Sequence, residues 1–164
     1  MNRIIFLTVL IMLSIQAFTQ EIDCKLKSDR TDEFTGKIER STAHQVIGKM
    51  TGMRKLKASI IQNGDTYSLL VTANDKIGCS DSNSLLSIKF KDGQVINLRY
   101  NGDPDCGKMA SLMVPIDRFI DVLYQKEVST ARLTLDAGSL DFDGVGWAIR
   151  DLIKCVNSKY ETAN

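Results

Sequence analysis

The stretch RKLKASIIQNGDTYSLLVTA, Arg54 to Ala73, decides the fold class. Leu56, Ala58 and Ile60 alternate with Lys55, Lys57 and Ser59. After a break, Tyr67, Leu69 and Val71 alternate in the same way. A period of two marks a strand with one buried face. Asn63-Gly64 lies between the two runs and is the pair preferred by two-residue hairpin turns. That turn sets Gln62 opposite Asp65, Ile60 opposite Tyr67, Ala58 opposite Leu69 and Leu56 opposite Val71. The apolar residues then share one side of the ladder, so turn chemistry and pattern agree. The segment predicts an antiparallel hairpin.

Working outward, Leu85–Phe90 and Gln94–Tyr100 flank Lys91-Asp92-Gly93. A two-residue turn would put their apolar faces on opposite sides. A three-residue loop with Gly93 left-handed pairs Ile88 with Ile96 and Leu86 with Leu98, and parity selects it. From Val114 to Gln125 the period changes. Ile116, Phe119, Ile120 and Leu123 follow helical spacing, and Pro115 suits a first turn. Val128–Asp136 and Leu140–Phe142 return to alternation, with Leu135 expected opposite Leu140 and Leu133 opposite Phe142. Asp143 is an expected N-cap for a last helix whose stripe is Val145, Ile149, Leu152, Ile153 and Val156. Between Asp32 and Met50 the pattern is weaker. Phe34, Gly36 and Ile38 alternate, and Gln45–Met50 is a further strand piece. The expectation is an α+β domain: a mostly antiparallel sheet of about six or seven strands, with two helices packed on one face.

The N-terminus reads differently. Arg3 precedes Ile4–Leu13, an apolar run without charge, and small or neutral residues follow. This is the layout of a secretory signal, too short to span a bilayer as a helix. Residues 1–20 are therefore expected to be a cleaved signal and 21–164 a single disulfide-stabilised domain of about 144 residues, enough for one core. The expected compartment is extracytoplasmic, periplasmic or secreted. The 164-residue chain has 21 basic and 20 acidic residues, and loss of Arg3 leaves a neutral domain. A neutral domain has no global field for polyanions. Nucleic acid is thus not an expected partner, nor is stable membrane insertion after signal cleavage.

Cys24, Cys79, Cys106 and Cys155 contain no C-x-x-C spacing, so zinc-ribbon and thioredoxin-like readings lack support. An even count in an exported chain predicts disulfides. If the strands at 65–73, 85–90 and 94–100 run up, down and up, Cys79 and Cys106 lie at the same end of the sheet. Cys155 on the last helix is then placed to tether Cys24. This favours Cys79–Cys106 with Cys24–Cys155, and the other two connectivities remain open.

Several short segments resemble a loosely defined group of small exported bacterial α+β domains of unknown function. They are Asp32-Glu33-Phe34-Thr35-Gly36, Phe90-Lys91-Asp92-Gly93-Gln94, Asp105-Cys106, the short helix before a strand, and Asp141-Phe142-Asp143 with Cys155. The resemblance implies the fold and carries over no catalytic or binding residue.

Chemistry-bearing residues are sparse. The single histidine, His44, sits in a Ser/Thr-rich stretch and is the one candidate general base, for a serine nucleophile that no G-x-S-x-G elbow identifies. Otherwise it is a surface or strand histidine. Asp103-Pro104-Asp105 reads as a turn. Asp141-Phe142-Asp143-Gly144 has only half of a calcium loop and reads as a strand end plus N-cap. Lys49, Arg54, Lys55 and Lys57 form a basic stretch, read as an anion or partner patch or as lysines guarding an edge strand. Asp81, Asp103 and Asp105 disfavour a reactive thiol at Cys79 or Cys106. Trp147 is read as a core anchor. No catalytic residue, cofactor or metal site is assigned. The expected function is a non-enzymatic binding module for a protein or envelope ligand outside the cytoplasm. One alternative is a small hydrolase using His44 with an unidentified Ser and Asp. The other is an enzyme inhibitor presenting the Gly102–Lys108 loop.

Overall fold

Alternation of period two becomes a single antiparallel sheet. A computed structural model describes residues 24–50, 54–74, 78–107 and 109–157; the expected signal, residues 1–20, lies outside them. Among the described residues there are ten strands: β1 (Leu26–Thr31), β2 (Ile38–Thr42), β3 (Gln45–Lys49), β4 (Lys55–Asn63), β5 (Thr66–Ala73), β6 (Leu85–Phe90), β7 (Val95–Arg99), β8 (Ala110–Pro115), β9 (Val128–Leu135) and β10 (Gly138–Gly146). Two helices complete the domain, α1 (Ile120–Gln125), entered through a 3-10 turn at Asp117–Phe119, and α2 (Ala148–Val156). The α+β class and antiparallel sheet are as expected, with more strands than the sequence pattern indicates.

The main path runs β8-β5-β4-β3-β10-β9-β6-β7. Its two ends, β7 and β8, lie side by side without a ladder among the described residues, so the sheet curls into a barrel left open at one seam. β2 and β3 share one edge of β4, β2 along its second half and β3 along its first, with a bend at Ala43-His44 between them. β1 pairs with β2 as an outer hairpin whose first strand is exposed throughout.

The inner face of the curl is the core. It collects Leu56, Ala58 and Ile60 from β4, Leu69 and Val71 from β5, Leu86 and Ile88 from β6, Leu112 and Val114 from β8, and Leu133 and Phe142 from β9 and β10. The α2 stripe of Ile149, Leu152, Ile153 and Val156, with Leu123 of α1, joins the same cluster. Each Val, Leu, Ile or Phe side chain among them contributes about 1.5–3 kcal/mol on burial, which is what fixes strand parity.

Local differences from expectation have physical causes. The first hairpin turns at Gly64-Asp65, one residue later than expected, with Gly64 at φ 59°. Ile60 therefore faces Leu69 and Ala58 faces Val71. The shift is two positions in register, so the same side chains stay inside. The β9–β10 hairpin shifts likewise, with Leu140 opposite Leu133 and Phe142 opposite Ala131. The β6–β7 hairpin has the expected register and Gly93 at φ 89°. Val114 and Pro115 end β8 instead of starting a helix. Asp143 caps no helix: β10 continues to Gly146, and α2 starts after Trp147 without a side-chain cap.

Candidate functional site

Both expected disulfides are formed, Cys24–Cys155 and Cys79–Cys106, and no described cysteine is free. The first joins the start of the described chain to α2. The second joins the segment before β6 to the loop before β8. Beside it Ser80 and Asp105 exchange backbone hydrogen bonds, N to O at 2.9 and 3.0 Å. The Tyr100 hydroxyl donates to the Asp103 carbonyl at 2.8 Å, and Cys79 N–H donates to Asp136 Oδ1 at 2.7 Å. Residues 101–106 are exposed above this base. Lys108, the end of the expected inhibitory loop, lies outside the described residues.

His44 is exposed at the bend between β2 and β3 and makes no hydrogen bond to a hydroxyl among the described residues. Partial burial and the nearby Lys27 and Lys57 ammonium groups hold its imidazole below the ordinary histidine value. Among the described residues, the base–hydroxyl contact that nucleophilic catalysis requires is not assembled at His44. The acidic pair on β10 is engaged in the sheet. Arg132 grips Asp141 with two hydrogen bonds of 2.6 and 2.8 Å and holds that carboxyl below its usual range. The Thr130 hydroxyl donates to Asp143 at 3.0 Å. Among the described residues no group of three or more His, Cys, Asp or Glu is placed to hold a metal ion. No described helix is long and apolar enough to cross a membrane. Trp147 is half-buried, with the Arg150 guanidinium 4.2 Å from its ring centroid.

The lysines of the basic stretch do not guard an edge. β4 is paired on both sides, so Lys55 and Lys57 stand on the outer face of an interior strand. A bulge at Ile47 rotates β3 so that Val46 faces Lys57 and Lys49 faces Lys55. Without that extra residue Lys49 would point inward with Ile47. A solvent-open depression of about 340 Å³ adjoins them, lined by Val46, Ile47, Gly48, Lys49, Asp143 and Gly144.

A second feature lies at the tip of the β1–β2 hairpin. Phe34 is 99% exposed. The tip is nevertheless ordered by its own chemistry. Asp32 Oδ1 accepts from the N–H groups of Phe34 and Thr35 at 2.9 and 2.7 Å, and Gly36 N–H donates to the Asp32 carbonyl at 2.8 Å. Gly36 supplies the left-handed φ of 68°. Contacts from Thr35 and Phe34 hold the Asp32 carboxyl below its ordinary value, so the locked form is the ionised one at neutral pH. The Asp-x-x-x-Gly spacing is a signal that could have marked this turn, where the alternation of Phe34, Gly36 and Ile38 points to a strand instead. Exposure of Phe34 had none, because its alternation with Ile38 reads as a strand.

Fold and surface together define a disulfide-clamped, open-barrel α+β domain whose distinctive groups lie on its outside. No family model, curated protein or solved structure matches the chain.

Proposed function

We propose that the chain is an exported, non-enzymatic binding module that engages a protein or envelope partner outside the cytoplasm. The carrying observation is Phe34, a fully exposed aromatic on a turn locked by Asp32. Scattered apolar residues on a surface are ordinary. An exposed aromatic whose backbone is already fixed at the tip of a hairpin suits a binding anchor, since little backbone entropy is lost when it docks. Two disulfides fit an oxidising compartment. Residues 1–20 acting as a removed signal, and the likeness to small exported domains, belong to the same proposal.

The test immobilises the disulfide-bonded protein and its Phe34→Ala variant and exposes both to envelope and medium fractions of the native host. Mass spectrometry of the retained proteins should show a partner held by the parent and depleted about 30-fold by the variant, the scale of an anchor contributing about 2 kcal/mol. The thermal midpoint should not change. Identical retention profiles would remove the hairpin tip from the proposal.

One observation favours a second reading, an enzyme inhibitor. The exposed 101–106 loop is fixed at its base by the Cys79–Cys106 disulfide and the Ser80–Asp105 bridge. On that reading, reduction of the disulfide abolishes inhibition of a target enzyme while Phe34→Ala leaves it intact.

A further inference from the structure

Lys49 and Lys55 stand directly opposite each other on β3 and β4, and both are exposed. Like charges so placed weaken a ladder. Among the described residues no ion pair neutralises Lys27, Lys49, Lys55 or Lys57. The acid nearest in register, Asp143, is the cross-strand partner of Lys49 on its other side and accepts from Thr130 instead. Two ordinary explanations fail. The lysines do not protect an edge, because β4 is interior. Nor do they reflect general basicity, because the chain is balanced at 21 basic and 20 acidic residues.

The placement is ordered. Lys55 and Lys57 lie two residues apart on one face of β4, roughly 7 Å. Lys49 lies beside Lys55 at roughly 5 Å. His44, one residue before the Gln45–Ala58 pair, falls near the next outward position, with Lys27 of β1 beside it. The row spans roughly 14 Å. It is too long for one small oxyanion, and its steps are wider than the spacing of adjacent phosphates in a polyphosphate chain. They suit an extended chain with one charged group per sugar ring.

We propose that this row binds an anionic glycan, with its sulfate, phosphate or carboxylate groups each bridging neighbouring basic side chains from Lys49 and Lys55 to Lys57 and Lys27. The site lies on the outer face of the sheet and at the base of the β1–β2 hairpin, apart from the Phe34 tip. It stands whether or not the tip engages a protein.

The test titrates the disulfide-bonded protein with a heparin-derived sulfated hexasaccharide, with inorganic sulfate and with a short polyphosphate at low ionic strength. The ring signals of His44, the only histidine, report occupancy because a bound anion raises its titration midpoint. The hexasaccharide should bind at least ten-fold more tightly than either other anion and weaken as salt is added. Lys49→Gln with Lys55→Gln, and separately Lys27→Gln with Lys57→Gln, should each weaken it ten-fold or more, at about five-fold per lysine. Lys91→Gln, whose lysine is paired with Glu127 in the β6–β7 loop, should not. The proposal is overturned by absence of hexasaccharide binding, by polyphosphate binding as tightly, or by binding that survives both double substitutions. Loss of binding in Phe34→Ala would place the glycan on the tip and would also overturn it.

Discussion

The curled sheet has two weak seams, and they are closed by different means. Between β3 and β10 a single ladder pair joins the strands, Lys49 with Asp143. There the backbones approach at Gly48, where an added Cβ would lie 3.2 Å from both Phe142 Cβ and Val145 Cγ2. Between β7 and β8 no ladder forms among the described residues, and the closure lies outside the strands. Cys79–Cys106 and the Ser80–Asp105 bridge tie the segment entering β6 to the loop that runs from β7 to β8. Where two strands can touch, a glycine lets them. Where they cannot, a covalent clamp holds their connections.

The largest expected effect comes from removing that clamp. The two cysteines are 27 residues apart, and the chain-entropy limit for such a loop is about 3.5 kcal/mol. Cys79→Ala with Cys106→Ala should cost about 2–3.5 kcal/mol in urea unfolding. Amide exchange should rise first in β7 and β8, while β4 and β5 stay protected. A uniform rise across all ten strands would mean that the disulfide acts on global stability alone and that the open seam needs no local closure.

Next in size is the glycine seam. Gly48 is buried, and the atoms an alanine Cβ would meet are a Cβ and a branched methyl held in the core, which cannot move aside freely. Gly48→Ala should cost about 1–3 kcal/mol, the range for overpacking, and should speed exchange in β3 and β10. A neutral result would show that the seam has slack and that the two closures are less different than their geometry implies.

The parts of this arrangement that were legible are those dictated by parity and turn chemistry. Gly93 after Lys91-Asp92 fixed the β6–β7 register, because only one loop length put Ile88 and Ile96 on the same side. The supposition that the strands at 65–73, 85–90 and 94–100 run up, down and up was enough to favour the disulfide pairing that forms, although β5 and β6 are not neighbours in the sheet. β1 was not legible. LKSDRT has no apolar alternation, and the strand is held by cross-strand pairs instead: Ser28 with Ser41, Arg30 with Glu39 and Arg40 with Asp29. β8 did alternate, through Ala110, Leu112 and Val114. However, Ile116 continues that alternation and also opens the helical stripe of Phe119, Ile120 and Leu123, Pro115 suits a helix's first turn, and a local pattern cannot choose between two periods that share a residue. The basic row was half legible. The lysines are plain in the sequence, but an interior position for β4 and a bulge at Ile47 are long-range facts. They turn an apparent edge guard into an exposed face.

The smallest effect bears on the β3 side of the glycine seam. Lys49 there faces Lys55 across one ladder and Asp143 across the other. Lys55→Glu replaces repulsion with attraction and should raise stability by about 0.2–1 kcal/mol. Lys55→Gln, which only removes the repulsion, should raise it by less. Because both side chains are exposed, the gain should shrink as salt is added and the charges are screened. Thermal unfolding at two ionic strengths reads both quantities. A gain in stability joined to a loss of anion binding would show that β3 and β4 keep a destabilising pair for its charge. Lys55→Glu destabilising the domain at low salt would instead mean that the ammonium groups avoid each other, and that β3 is held to β4 by its backbone ladder without strain from these side chains.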